Sequence, residues 1–231
     1  MVLIDLINAN GTHFSPNSWR VRMALAHKGL AFEVRDIGFM DVPSLHPQGE
    51  KVTIPTLVHG ERWVTDSFAI VRYLDEAFPN TPRLTGTGSE TALLQFFQNW
   101  VQTTVHAGLA RLIMQDLHRS LLPTDQAYFR ESRERIYKMT IEEIQAGREE
   151  RVAAFHKSLQ PMRQSLQAQP FLGGAQPSYA DYLAFGGFQW ARISSTFAVL
   201  NADDVVHTWF ERCLDLYGGL GRQDAAAVAT R

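Results

Sequence analysis

Cysteine is almost absent from this chain: Cys213 is the only one in 231 residues. A single thiol excludes a disulfide framework within the chain and any cysteine-based metal site, and it fits a reducing compartment. Thiol chemistry would then need a thiol brought in from outside, unless Cys213 itself reacts. An excess of one charge is also missing, since 22 Lys and Arg stand against 24 Asp and Glu. No basic run and no aromatic–basic stripe appears, which argues against nucleic acid or an anionic membrane as partner. No apolar run approaches the ~20 residues that cross a bilayer. The opening stretch, Met1-Val2-Leu3-Ile4-Asp5-Leu6-Ile7, is apolar but has no basic residue before it and breaks at Asn8. It reads as a strand rather than a secretory signal, and a cytoplasmic location is expected. His106 and His118 are too far apart along the chain to share one helical turn, so no zinc site is expected.

What is present is an ordinary globular composition, 45% hydrophobic, long enough for one large or two small domains. The first eighty residues alternate strands and helices. Val2 to Asn8 reads as a strand, and Ala9 to Phe14 as a loop. Ser15-Pro16 opens a helix, because serine is favoured as N-cap and proline at the first helical position. That helix is expected to reach about Lys28 and to stop at Gly29. Phe32 to Ile37 follows as a strand. After a Pro- and Gly-dotted loop over 41–51 come Thr56-Leu57-Val58, a turn at His59-Gly60-Glu61-Arg62, and the returning Trp63-Val64. Ser67 is expected to cap a helix carrying Phe68, Ile70, Val71 and Leu74. The order is βαβ then ββα, a thioredoxin-like arrangement.

Residues 78–89 read as a linker. Beyond it the pattern is helical: one long amphipathic segment from Thr91 to about Leu121, and a capping box at Thr140-Ile141-Glu142-Glu143 opening a helix to about Gln169. A like box at Ser178-Tyr179-Ala180-Asp181 opens an apolar helix, and a last helix covers 203–217. The tail from Arg222 reads as frayed. The expected fold class is α/β plus all-α, with a thioredoxin-like domain over 1–80 and an all-helical domain over 90–231.

Three stretches make the chain resemble the cytosolic glutathione S-transferases. Ser15-Pro16-Asn17-Ser18-Trp19-Arg20-Val21-Arg22 is similar to the first-helix motif of serine-type classes. Ile54-Pro55-Thr56-Leu57 resembles the family's cis-proline turn, and Asp66-Ser67-Phe68-Ala69-Ile70 its glutathione motif. In the helical half, Tyr128 to Glu134, Pro177 to Tyr182 and Phe188 to Arg192 resemble bacterial β-etherases and related fungal serine-type transferases. So does Ala24 to Gly29. Maleylacetoacetate isomerases of the zeta class carry a cysteine where this chain has Asn17, which argues against that isomerase reading.

The resemblance implies glutathione as co-substrate, no metal, and a homodimer. Ser15 would donate a hydrogen bond to the glutathione thiolate. Ile54 would pair its backbone with the cysteinyl part beside Pro55, Asp66 and Ser67 would hold the γ-glutamyl end, and Lys51 and Val52 the glycyl end. A hydrophobic electrophile would lie among Asn10, His13, Phe14, Asn17, Trp100, Thr103, Thr104 and Ala107. Read without the resemblance, Ser15 and Ser67 are plain helix caps, Pro55 an edge-strand proline, Trp100 a core residue, and Asp181 a capping-box residue. Arg130, Glu131, Arg133 and Glu134 read as a surface ion-pair cluster that could close over the acceptor. A non-catalytic binding or scaffold protein of the same fold stands as the alternative function.

Overall fold

The computed structural model describes residues 1–228. Its first part is a four-stranded sheet in the order β2-β1-β3-β4, formed by β1 (Val2–Leu6), β2 (Glu33–Ile37), β3 (Thr56–His59) and β4 (Arg62–Thr65). β1 runs parallel to β2 and antiparallel to β3, with Leu3 opposite both Val34 and Leu57. The parallel pair needs a crossover, which α1 (Pro16–His27) supplies. α2 (Ser67–Ala77) follows β4. Strand periodicity then divides the core: Leu3 and Leu57 pack with Val21 and Leu25 of α1 and Ile70 and Leu74 of α2. Ile4 and Leu6 join the second, larger core that runs into the helical half. The hairpin and the βαβ order stand as the sequence predicts.

The helical half holds α3 (Ser89–Trp100), α4 (Ala107–Ser120), α5 (Pro123–Tyr137), α6 (Ile141–Gln145), α7 (Arg148–Ser158), α8 (Gln160–Ala168), α9 (Tyr179–Ser194) and α10 (Val205–Leu214). α9 is its centre. Both expected capping boxes form: Thr140 Oγ1 accepts from Glu143 N–H, and Ser178 closes with Asp181. Asp181 also accepts from Trp209 Nε1 at 2.9 Å, so it is a buried structural acceptor. Cys213 is buried, and burial pushes its thiol well above the ordinary range, which makes it a poor nucleophile.

Four expectations change. Asp66, not Ser67, caps α2: its Oδ1 accepts from Phe68 and Ala69 N–H at 3.0 Å, and Ser67 becomes the first helical residue. The single helix expected over 140–169 is three. It breaks at Gly147, whose φ of +69° is left-handed, and at Leu159, just before Pro161. The long segment over 91–121 stays helical but widens to a π-helical turn over 101–106. The tail does not fray within the described residues, since Asp224 is buried and Ala227 N–H donates to Arg192 O. Residues 229–231 of that tail lie outside the described residues.

Candidate active site

α1 begins at the sheet's mouth. Ser15 is its N-cap, with an extended ψ of 118°, and its Oγ accepts from Ser18 N–H at 3.3 Å. That bond occupies an acceptor position and leaves the hydroxyl proton available to another group. Ser15 is only 4% exposed, yet it borders a cavity of about 400 Å³ between the sheet and the helical half. Ile54, Phe14 and Asn17 also border it. The Ile54–Pro55 bond is cis. An adjoining cavity of about 480 Å³ shares Leu6, Phe39 and Ile54 and is bordered by Lys51 and Val52. Asp66 and Ser67 border neither cavity, and Asp66 is held at a φ of 74° by its capping role.

The far wall differs from the sequence expectation. Of the helical residues named, Ala107 lines the cavity, while Trp100, Thr103 and Thr104 do not. Trp100 stacks on Phe97 at 5.5 Å, and the exposed Thr103 donates its hydroxyl proton to Asn99 O. The cause is the π turn, which breaks the 3.6-residue spacing and brings Gln102 and His106 inward instead. Asn10 is exposed, and His13 is held elsewhere. Its two ring nitrogens reach Asp224 at 3.0 Å and Asp36 at 2.9 Å.

Residues the sequence reading did not assign to the site also wall the cavity, among them Phe39, Phe129, Trp190 and His106, and so does Arg133, which it had placed in a surface cluster that could close over the acceptor. Phe39 sits in a short 3-10 turn over Phe39–Ser44, whose Phe39 and Met40 N–H groups donate to the buried Asp125 of α5 at 2.7 and 3.1 Å. His106 is buried, and its Nε2 accepts from Arg20 Nη2 at 3.2 Å. A guanidinium only donates, so this contact places the imidazole proton on Nδ1. Burial, and then the Arg20 charge, hold the His106 pKa well below the usual value, so the ring is neutral. Gly187 makes room for it, since a Cβ there would come within 2.7 Å of His106 Cδ2. No residue pattern marked Phe39 and His106 as site members beforehand, because they come from distant parts of the chain. Among the described residues no cluster of His, Cys, Asp or Glu is suited to a metal, and no helix is long and apolar enough to cross a membrane.

Comparison with known proteins agrees with this architecture. The glutathione S-transferase N-terminal domain matches residues 10–82, and the C-terminal domain matches residues 92–216, the latter more than half of the chain. The chain belongs to the glutathione S-transferase family. Glutathione S-transferase 1 of Dianthus caryophyllus is 42% identical over 71 residues, covering 29% of this chain and 32% of that protein. The chain thus spans about a third of the length of such curated relatives. Among solved structures, glutathione transferase GSTFuA2 of Phanerochaete chrysosporium superposes with a TM-score of 0.73 at 27% identity, covering 96% of this chain and 94% of that one. A glutathione S-transferase of Ceriporiopsis subvermispora in complex with glutathione has the same fold, with a TM-score of 0.72 at 22% identity, covering 96% and 93%.

Proposed function

We propose that the protein activates glutathione at Ser15 and transfers it to a hydrophobic electrophile, with cleavage of a β-aryl ether as the particular reaction. The observation that carries this reading is the buried Ser15 hydroxyl, free to donate, at a helix N-terminus on the edge of a cavity walled by Phe14, Phe39, Phe129 and Trp190. A free thiol of pKa ~8.5 is mostly protonated at neutral pH, and lowering that value by about two units means favouring the anion by roughly 2.7 kcal/mol. A hydrogen bond to a charged group supplies about 1.5–3 kcal/mol, and a helix N-terminus about 0.3–1. Serine and helix together are sufficient, with no general base.

Ile54 would receive the cysteinyl backbone, Lys51 and Val52 the glycyl end, and Asp66 with Ser67 the γ-glutamyl end. The thiol proton leaves to solvent. Sulfur then attacks the carbon beside a ketone, an S–C bond forms, the ether C–O bond breaks, and the departing phenolate takes a proton from water. Holding thiolate and ether in line supplies much of the acceleration. The protein works as a homodimer in this reading, for which Leu93 and Phe96 on α3, 68% and 72% exposed, offer an apolar face.

The test is glutathione-dependent release of a fluorescent phenol from a model β-aryl ether ketone, with Ser15→Ala alongside. Release that needs glutathione and falls in the variant supports the whole reading. No release, with glutathione still raising the melting temperature, removes the ether and keeps the transferase. If glutathione neither stabilises the protein nor reacts, both are wrong.

A further inference from the structure

Among the described residues, Arg133 is the arginine that borders the aromatic cavity. Arg22, Arg130, Arg148, Arg163 and Arg222 each meet a carboxylate within 3.2 Å. Arg133, on α5, has no carboxylate within ion-pair reach among the described residues, although it borders the aromatic cavity. Its one side-chain hydrogen bond among the described residues goes to Ser132 Oγ at 3.4 Å. The guanidinium lies over the Phe129 ring, 4.7 Å from its centre, so its face is occupied while the N–H groups along its edge are available. Burial disfavours its charge, and the neighbouring Glu134 is already taken by Arg130 at 2.9 Å.

Among the described residues the cavity wall contains no Asp or Glu. Its other ionisable members on the helical side are Tyr137 and the neutral His106, with the Arg20 cation behind the latter. The wall therefore offers aromatic faces and one cation without a counter-ion, which is complementary to a flat ring carrying a negative oxygen group.

We propose that the acceptor is an aromatic electrophile bearing an anionic oxygen substituent, of which a ring carboxylate is the simplest, and that Arg133 receives that group. This rests on the reading of the cavity as the acceptor site. Arg133 sets the choice of acceptor and takes no part in activating the thiol, which belongs to Ser15. The planar fork of the guanidinium matches a carboxylate in a bidentate manner, and a lysine at the same place would match it less well.

The experiment compares a neutral chlorodinitrobenzene with its ring-carboxylate analogue, a chlorodinitrobenzoate, each corrected for its uncatalysed reaction with glutathione. Wild-type protein should favour the carboxylate. Arg133→Gln should lower kcat/KM for the carboxylate roughly tenfold or more beyond any effect it has on the neutral acceptor. Arg133→Lys should recover part of the loss. Equal effects on the two acceptors, or none on either, would overturn the proposal. Calorimetric binding of dinitrobenzoate, which has no leaving group, supplies a second readout that needs no turnover. If neither acceptor reacts and glutathione does not raise the melting temperature, but dinitrobenzoate binds the wild type and not Arg133→Gln, the transferase reading fails and the anion site stands. If dinitrobenzoate binds both proteins alike, the anion site fails.

Discussion

At the scale of single residues, the proposed chemistry rests on one hydroxyl. Removing it with Ser15→Ala should raise the pKa of bound glutathione's thiol toward its free value and lower kcat/KM by about 10–100-fold, the worth of one hydrogen bond to a charge. Thiolate absorbance followed against pH checks the first effect, and initial rates check the second. An unchanged thiol titration would mean that the helix terminus suffices without the serine. Ser15 was legible in the sequence because cap preference is local: serine followed by proline announces a helix start wherever the chain goes next. Asp66 and Ser67 show the limit of that local rule. Either side chain can cap α2, and the choice fell to Asp66, the only one that accepts from both Phe68 and Ala69 N–H. His106 was legible as a residue type but not as a site member, because its neighbours come from distant parts of the chain, whereas Arg133 was read as part of a surface cluster that could close over the acceptor.

At the scale of elements, the sequence's helical periodicity was read correctly as helix and wrongly as a face. Trp100, Thr103, Thr104 and Ala107 fall on one side of a regular α-helix, but a six-residue π turn intervenes over 101–106. Only Ala107, just beyond the turn, remains on the cavity. The turn over 39–44 was equally hidden, since its order depends on a carboxylate from a helix more than eighty residues later. Asp125 is 1% exposed and accepts from two backbone N–H groups there. Asp125→Ala would leave both donors without that partner, at a cost of about 1–3 kcal/mol. Denaturant unfolding should show that loss, with Phe39 loosened and the apparent affinity for the acceptor weakened. Full stability in the variant would mean that water replaces the carboxylate.

At the scale of the whole molecule, the sheet and the helical half are tied by charge as well as by core. Asp224, near the chain's end, accepts from His13 and from Arg22, which in turn donates to the buried Asp5 at 3.0 Å. For His13, burial works to lower the pKa, but its bond to Asp224 and the charges of Asp5 and Asp36 outweigh it together, and the value rises above 6.5. For Asp224, burial works upward, and the His13 and Arg22 contacts prevail to hold it below 3.8. The raised histidine stabilises the fold below about 6.5, and this is lost as pH climbs through its folded value. The depressed aspartate stabilises above about 3.8, and this is lost as pH falls through its folded value. The tie is therefore strongest between these limits. Hydrogen exchange of residues 222–228 should be slowest there and faster at alkaline pH, after correction for intrinsic rates, and Asp224→Asn should flatten the profile. A second prediction at this scale follows from the proposed homodimer: wild-type protein should sediment as a dimer, and Leu93→Lys with Phe96→Lys should shift it to monomer and leave its helical content unchanged.

The two halves also meet where α1 crosses α9. A Cβ at Gly186 would run into the Pro16 carbonyl oxygen, so the backbone next to Ser15 rests directly on a bare spot of the helical half. Chimeras that exchange the helical half to broaden the range of acceptors would carry an unintended cargo. A donor sequence with alanine at this contact would displace the nucleophile's mooring before any acceptor entered, and would lose turnover for every acceptor alike.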